Sequence, residues 1–433
     1  MYKKILLFSL LLSSYPLFAQ DLVDIYEIAL QKDVELQIAE SNYLSATAAL
    51  PLAVSTRRPQ VNLKAQAGIR ESDSSLTSDN TTNSYGFSLN LTQNIYNAET
   101  IAQVNVAEAQ VAQALADLEG SRQNLILRVA ERYFDILAAE DNVEFAIAER
   151  TSIARQLEQA QKRFEVGLIA ITDVHEAQAR YDSSVAQELL AENLRENAIQ
   201  ALQVIIGQPP ARNLAKLGDN LELIIPAPSN SSQWVEIALQ NNRGLISSLA
   251  ALKAADHNRE RAGGSENPTV DFNASYSDTE FDDDNLGDYD QSDINLSIQL
   301  NMPLFTGGRI SAEKEQAESQ YQSARNATLL QRRLASQQTR DAFLGVVSGI
   351  SQVKALRQAL SSSNTALEAT EAGFEVGTRT SVDVLISLRE TFGASRDYSS
   401  ARYDYLINIL KLKQAAGLLN ISDLEEINRW LNQ

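Results

Sequence analysis

Few side chains in this sequence are of a type and spacing that could do chemistry. There is no cysteine, which removes thiolate nucleophiles, thiolate metal ligands and disulfides. The two histidines, His175 and His257, stand 82 residues apart and lack the partners of a metal or catalytic motif. No glycine-rich phosphate loop, nucleophile elbow or convergent carboxylate pair is present, so the sequence predicts no enzyme activity, no cofactor and no metal site. Asp282, Asp283, Asp284, Asn285, Gly287 and Asp288 have the composition of a calcium loop. Leu286 fills a ligand position, however, and no Glu closes the frame, so a solvated loop is expected.

What remains is one segment that occurs twice. "RFEVGLIAITDV" at 163–174 and "GFEVGTRTSVDV" at 373–384 agree at six of twelve positions and each ends in Asp-Val. Gly167 and Gly377 suit a chain reversal, because glycine tolerates positive φ. Asp173 reads as a helix N-cap with Glu176 three residues on, and Thr380 with Asp383 as a capping box.

The elements that carry these segments are duplicated too. "EIALQ" occurs at 27–31 and 236–240, Pro59 answers Pro268, Tyr96 answers Phe305, and Gly207 answers Gly417. The offset grows from 209 to 210 along the chain, so this is one long structural half used twice. The first repeat is expected over 20–207, a connector with four prolines over 208–233, the second repeat over 234–417 and a C-terminal segment over 418–433. Each half should run helix, two strands, very long helix, reversal, helix. Val61, Leu63, Ala65, Ala67 and Ile69 alternate with Gln60, Asn62, Lys64, Gln66 and Arg70, a period of two. Strands are expected over 60–71, 83–96, 268–278 and 291–302, with polar links between them.

Residues 98–163 hold one glycine and no proline, and 307–372 form their counterpart. Leu118, Leu125, Val129, Ile136, Val143 and Ile147 make a coiled-coil-like stripe on the first of these helices. Sixty-six helical residues span roughly 100 Å. Shorter helices are expected over 174–207 and 384–417, with reversals at 164–173 and 373–383. Ser422 and Glu425 suggest a capping box opening a short terminal helix.

Lys3 and Lys4 precede the apolar run Ile5 to Leu12, and "PLFAQ" follows, which reads as a signal peptide over 1–19. Without it, 35 basic residues face 56 acidic ones, a charge of −21 that disfavours nucleic acid as a partner. No later stretch is apolar for ~18 residues, so any membrane crossing must be made by strands. Four strands cannot close a barrel, and open edges in lipid leave backbone groups unpaired. Two copies of the chain would pool eight strands, too few for an aqueous lumen, and three would pool twelve. The expected fold is therefore a mixed α+β membrane protein, mostly α, that assembles with copies of itself.

The doubled "FEVG" with "ITDV" and "SVDV", "MPLFTGGR" at 302–309 and "ARYDYLINILKLKQAAGLL" at 401–419 together resemble the TolC family of outer-membrane channel-tunnel proteins. The resemblance covers essentially all of the sequence after the signal peptide. It implies a homotrimer with a twelve-stranded barrel in the lipid of a Gram-negative outer membrane and a long helical barrel in the periplasm. It also implies a periplasmic adaptor and an inner-membrane ABC or proton-driven transporter as partners.

By the same resemblance the two reversals form the periplasmic tip. Val166, Gly167, Leu168, Val376, Gly377 and Thr378 would contact the adaptor, while Thr172, Asp173, Phe374, Arg379 and Asp383 would form the gate. Arg379 would bond to Thr172 or Asp173, and Asp383 would build an acidic ring that selects cations. The chain departs from the family pattern where Phe374 replaces a Tyr of some members and Ile386 replaces a second acidic residue. "GTRTSVDVL" and "ARYDYLINIL" look most like members that serve type I protein secretion, with drug efflux the alternative. A periplasmic coiled-coil scaffold or adhesin is the rival from another class, and it leaves the alternating strands unexplained.

Overall fold

The computed structural model describes residues 20–74, 77–211, 213–218, 221–283 and 287–432. The expected signal peptide and residues 284–286 of the acidic loop lie outside them. The first half holds α1 (Leu22–Lys32), α2 (Val34–Ser55), β1 (Gln60–Ser74), β2 (Thr77–Tyr96), α3 (Ala98–Glu165) and α4 (Ile171–Ile206). The short strand β3 (Lys216–Leu217) lies in the connector. The second half holds α5 (Ser231–Asn241), α6 (Arg243–Gly264), β4 (Thr269–Asp283), β5 (Tyr289–Asn301), α7 (Arg309–Glu375) and α8 (Ser381–Ala415). The chain ends with α9 (Ile421–Asn428) and β6 (Leu431–Asn432). Helices of 11, 22, 68 and 36 residues in one half answer helices of 11, 22, 67 and 35 in the other.

The opening helix of each half is a pair, not the single helix expected. The first break falls at Asp33, which is 3% exposed and bonds to Arg128 at 2.9 Å. The second falls at Asn242, whose side chain accepts the Leu245 amide at 3.0 Å and caps α6.

The chain divides into two compact units, with α3 and α7 contributing to both. One comprises Glu35–Ser121 and Val235–Gln337 and contains the four-stranded sheet, ordered β1-β2-β4-β5 and antiparallel throughout. Directly paired residues share a face, and the register sorts the faces by polarity. Val61, Leu91, Ala274 and Leu296 form one row across the sheet, and Leu63, Leu89, Tyr276 and Ile294 form another. The intervening rows on the opposite face are Asn62, Asn90, Ser275, Asn295 and Lys64, Ser88, Ser277, Asp293. In the single chain the apolar side chains are bare: Leu63 is 72% exposed and Ile294 76%.

The hairpins run further than the sequence alternation foresees, through Ser74 and Thr77 and through Asp283 and Tyr289. Beyond the apolar rows, cross-strand polar bonds extend the pairing, as where Asp283 accepts Asn80 at 2.8 Å and Thr82 at 2.7 Å. Alternation reports where a strand meets an apolar medium, whereas pairing needs only backbone partners.

The other unit comprises Arg122–Trp234, Gln338–Gln433 and the described N-terminal residues up to Val34. Its core joins α3 to α8 through aromatic rings. Phe134 stacks on Tyr403 with centroids 5.5 Å apart and meets Tyr133 edge-on at 5.7 Å. Such pairs contribute about 0.5–1.5 kcal/mol beyond their burial. The Tyr133 hydroxyl donates to the Ala215 carbonyl at 2.8 Å, and the Tyr405 hydroxyl accepts the Ile224 amide at 2.9 Å. Two fully buried tyrosines thus anchor the otherwise irregular connector, whose β3 pairs with β6. The predicted stripe on α3 is buried from Leu118 to Val143, but Ile147 is 40% exposed and Ala146 takes its place inside. An α-helix advances 3.6 residues per turn, so a strict heptad drifts off the contact line. The terminal helix is capped by Asn420 with Asp423, two residues earlier than the expected Ser422 and Glu425.

No helix among the described residues is long and apolar enough to cross a membrane. The sheet faces give a sharp expectation. Leu89→Arg on the apolar face should cost about 2–4 kcal/mol in a bilayer and reduce the protein recovered in outer membranes. Ser88→Arg, one residue along on the polar face, should leave recovery near wild type in the same assay.

Candidate functional site

Each long helix ends in the same reversal, and backbone bonding explains why the segment is doubled. Gly167 takes φ 76° and Gly377 φ 82°, the left-handed conformation in which a Cβ is costly. At the end of α3, the Gly167 amide donates to the Phe164 carbonyl at 2.9 Å and the Leu168 amide to the Arg163 carbonyl at 2.8 Å. At the end of α7, Gly377 donates to Phe374 at 3.1 Å and Thr378 to Gly373 at 2.8 Å. Both are Schellman closures, which satisfy the last carbonyls of a helix and turn the chain back.

The restarts differ. α8 begins with the predicted capping box: the Thr380 hydroxyl accepts the Asp383 amide at 3.2 Å, and the Asp383 carboxylate accepts the Thr380 amide at 2.8 Å. α4 does not begin at Asp173. Its N-cap is Ala170, which offers no side-chain bond, and Asp173 sits three residues inside. The apolar run Leu168 to Ile171 supplies no capping oxygen, so the helix starts as soon as the reversal is complete. Asp173 acts there as an acidic residue of the first turn, where the helix dipole favours it.

The two hairpins also pack differently. Phe374 is 9% exposed and lies with Val384, Leu388, Leu367 and Phe392, while its counterpart Phe164 is 41% exposed. Under the first reversal the core is Leu157, Ala160 and Ala177 with Ile169, Val174 and Tyr181. Arg379 lies back across Gly373: a Cβ added at Gly373 would stand 2.8 Å from its Cγ. The Thr378 hydroxyl donates to the Gly373 carbonyl at 3.0 Å. Val166, Leu168 and Val376 point into solvent, at 69%, 73% and 76% exposure, and Gly167, Gly377 and Thr378 are exposed beside them.

Thr172, Asp173, Phe374, Arg379 and Asp383 therefore sit at or beside the reversals of one unit. Within one chain, the hydrogen bonds and ion pairs among the described residues do not join Arg379 to Thr172 or Asp173. Arg379 instead influences Asp383 on its own hairpin. The Thr380 amide and hydroxyl, helped by the Arg379 charge, hold the Asp383 carboxyl below the usual carboxylate range. His175 is exposed on α4, and His257 Nδ1 lies 2.8 Å from Glu260 on α6. No group of His, Cys, Asp or Glu among the described residues could hold a metal ion.

One residue of this site is not apparent from the sequence. The Arg163 guanidinium stands over the Phe374 ring, 4.1 Å from its centroid, and joins the two hairpins. The only hint in the sequence is that the two copies differ at this position, Arg163 against Gly373.

A sheet with one apolar and one polar face, two long helical hairpins and doubled topology define an outer-membrane channel fold. The model of the outer membrane efflux protein family matches residues 25–208 and 234–418, and the chain belongs to that family. It is 35% identical to the outer membrane protein TolC of Vibrio cholerae, over 96% of this chain and 95% of that one. It is 27% identical to the alkaline protease secretion protein AprF of Pseudomonas aeruginosa, over 96% and 88%. The crystal structure of the Campylobacter jejuni CmeC outer membrane channel superposes with a TM-score of 0.82 at 17% identity, covering 95% of this chain and 90% of that one.

The capping box makes a pH prediction. A lowered folded pKa means that the Asp383 contribution is complete above the unfolded value of about 4 and is lost as pH falls through the lower folded value. Amide-exchange protection factors in the first turn of α8 should hold from pH 8 to about pH 5 and fall below about pH 4. Asp383→Asn should remove that dependence.

Proposed function

We propose that three copies of this chain form the exit duct of a tripartite export system. Their strands close one twelve-stranded barrel in the outer membrane of a Gram-negative cell, and their helices extend the duct into the periplasm. The observation that carries the reading is the sheet: apolar rows on one face, from Val61 to Leu296 and from Leu63 to Ile294, polar rows behind them, and two edge strands, β1 and β5, with no second partner among the described residues. In lipid each unpaired backbone group costs several kcal/mol, so the edges must meet edges of other copies. The scaffold reading gives that face nothing to do.

The reversals form the end at which cargo enters. Val166, Leu168 and Val376, with Gly167, Gly377 and Thr378, offer an apolar, side-chain-poor surface for a periplasmic adaptor. The adaptor connects the duct to an inner-membrane transporter, ABC or proton-driven, that supplies the energy. Thr172, Asp173, Phe374, Arg379 and Asp383 form the gate. Arg379 bonds to Thr172 or Asp173 of an adjacent hairpin, and three Asp383 carboxylates ring the opening and favour cations. Nothing in this role requires a reaction, and the protein is read as a passive duct rather than an enzyme.

Type I protein secretion is the preferred cargo route, supported by the near full-length similarity to a protease secretion protein. Small-molecule efflux is the second reading, favoured by the description of the family as efflux proteins. Deleting the gene and assaying drug sensitivity beside secretion of a large protein separates them. For the gate, the purified protein in a planar bilayer should conduct poorly, and Arg379→Ser should raise the current severalfold. An unchanged current would remove Arg379 from the gate.

A further inference from the structure

We infer that Arg163 and Phe374 are the clasp that holds the two hairpins of one chain together at the tip, and that this clasp must open before the entrance can. The inference rests on the gate reading above and adds a residue, Arg163, that the gate residues do not include.

The contact is isolated and well placed. Among the described residues it is the one polar or ring interaction that joins residues 150–185 to residues 360–395. The next interaction between the hairpins is Arg396 with Glu149 at 3.5 Å, about 20 Å further along α3. A movement that splays one reversal from the other therefore breaks the Arg163 contact first. The Arg163 guanidinium has no carboxylate or carbonyl partner among the described residues, and the Phe374 ring face is what holds it. The ring itself is held in place, because Phe374 is packed by Val384, Leu388, Leu367 and Phe392 of its own hairpin. A cation over a fixed aromatic face is attracted by the ring quadrupole without a hydroxyl or carboxylate.

Departures between the two copies build the clasp. Position 163 carries Arg while its counterpart carries Gly373, and that glycine leaves the space through which Arg379 lies. An arginine at both positions would collide with the Arg379 stem. The buried member of the Phe pair is the one that faces Arg163, and the exposed member, Phe164, has no cation over its ring among the described residues. One copy thus contributes the cation and the other the ring.

The test is conductance of the purified full-length assembly in a planar bilayer, with Arg379→Ser measured in parallel. Arg163→Met keeps an unbranched, flexible apolar stem and removes the charge. It should shift the closed-to-open ratio on the order of tenfold toward open and raise the mean current. Arg163→Lys, which keeps a cation over the ring, should stay within about threefold of wild type. Phe374→Leu should open the channel like Arg163→Met, and the double variant should open it no further than either single one. Unfolding temperatures of the detergent-solubilised variants check that the effect is not lost structure. A closed, wild-type current in Arg163→Met overturns the clasp. If Arg379→Ser conducts more in that case, the gate reading stands without the clasp; if it does not, both fall. Equal opening by Arg163→Lys and Arg163→Met also overturns it, since the ring would then not be reading charge.

Discussion

Backbone hydrogen bonding in lipid constrains this chain more than any side chain does. The four-stranded sheet satisfies its inner strands, β2 and β4, on both sides and leaves β1 and β5 each with one open edge. In water such edges would be solvated or shielded by charge. Here they flank rows of bare leucine and isoleucine, where water is excluded and only another strand can serve. The need for further copies follows from that mismatch. Two hairpins per chain, paired at the centre through β2 and β4, give each copy four adjacent strands of a closed wall.

The helical hairpins solve a related problem by local means. Each long helix must end and reverse without burying orphan carbonyls, and the Schellman closures at Gly167 and Gly377 do so with backbone atoms alone. Side chains at the tip are thereby released for other roles. On the second hairpin they are used for a capping box and a packed Phe374; on the first they remain apolar and exposed. The repeat fixes the shape of the reversal, and the differences within it decide what each reversal can touch.

Much of this was legible in the sequence, because the signals were periodic or strongly local. Alternation from Val61 to Ala67 marked the apolar sheet face, and the pairing register placed those residues in rows with Leu91, Leu89, Phe87 and Tyr85. The Thr380–Asp383 box was legible for the same reason, since its partners lie three residues apart. Where capping chemistry was ambiguous, position was lost: Asp173 lies inside its helix, and Asn420 caps α9 ahead of Ser422. The strand ends were missed because polar pairs such as Asn80 with Asp283 extend a hairpin without any alternation. The break at Asp33 depends on Arg128, 95 residues away, and the Arg163 contact on Phe374, 211 residues away. No local pattern carries such information.

The central claim is that the open edge of β1 in one copy pairs with the open edge of β5 in the next. The absence of native cysteine makes this directly measurable. Single pairs of cysteines placed one in 62–66 and one in 293–297 should form disulfides between copies in isolated outer membranes. Non-reducing gels should then show a ladder that ends at a covalent trimer and collapses to monomer on reduction. A chain that stays monomeric at every pair, or a ladder that continues past three, would contradict the account.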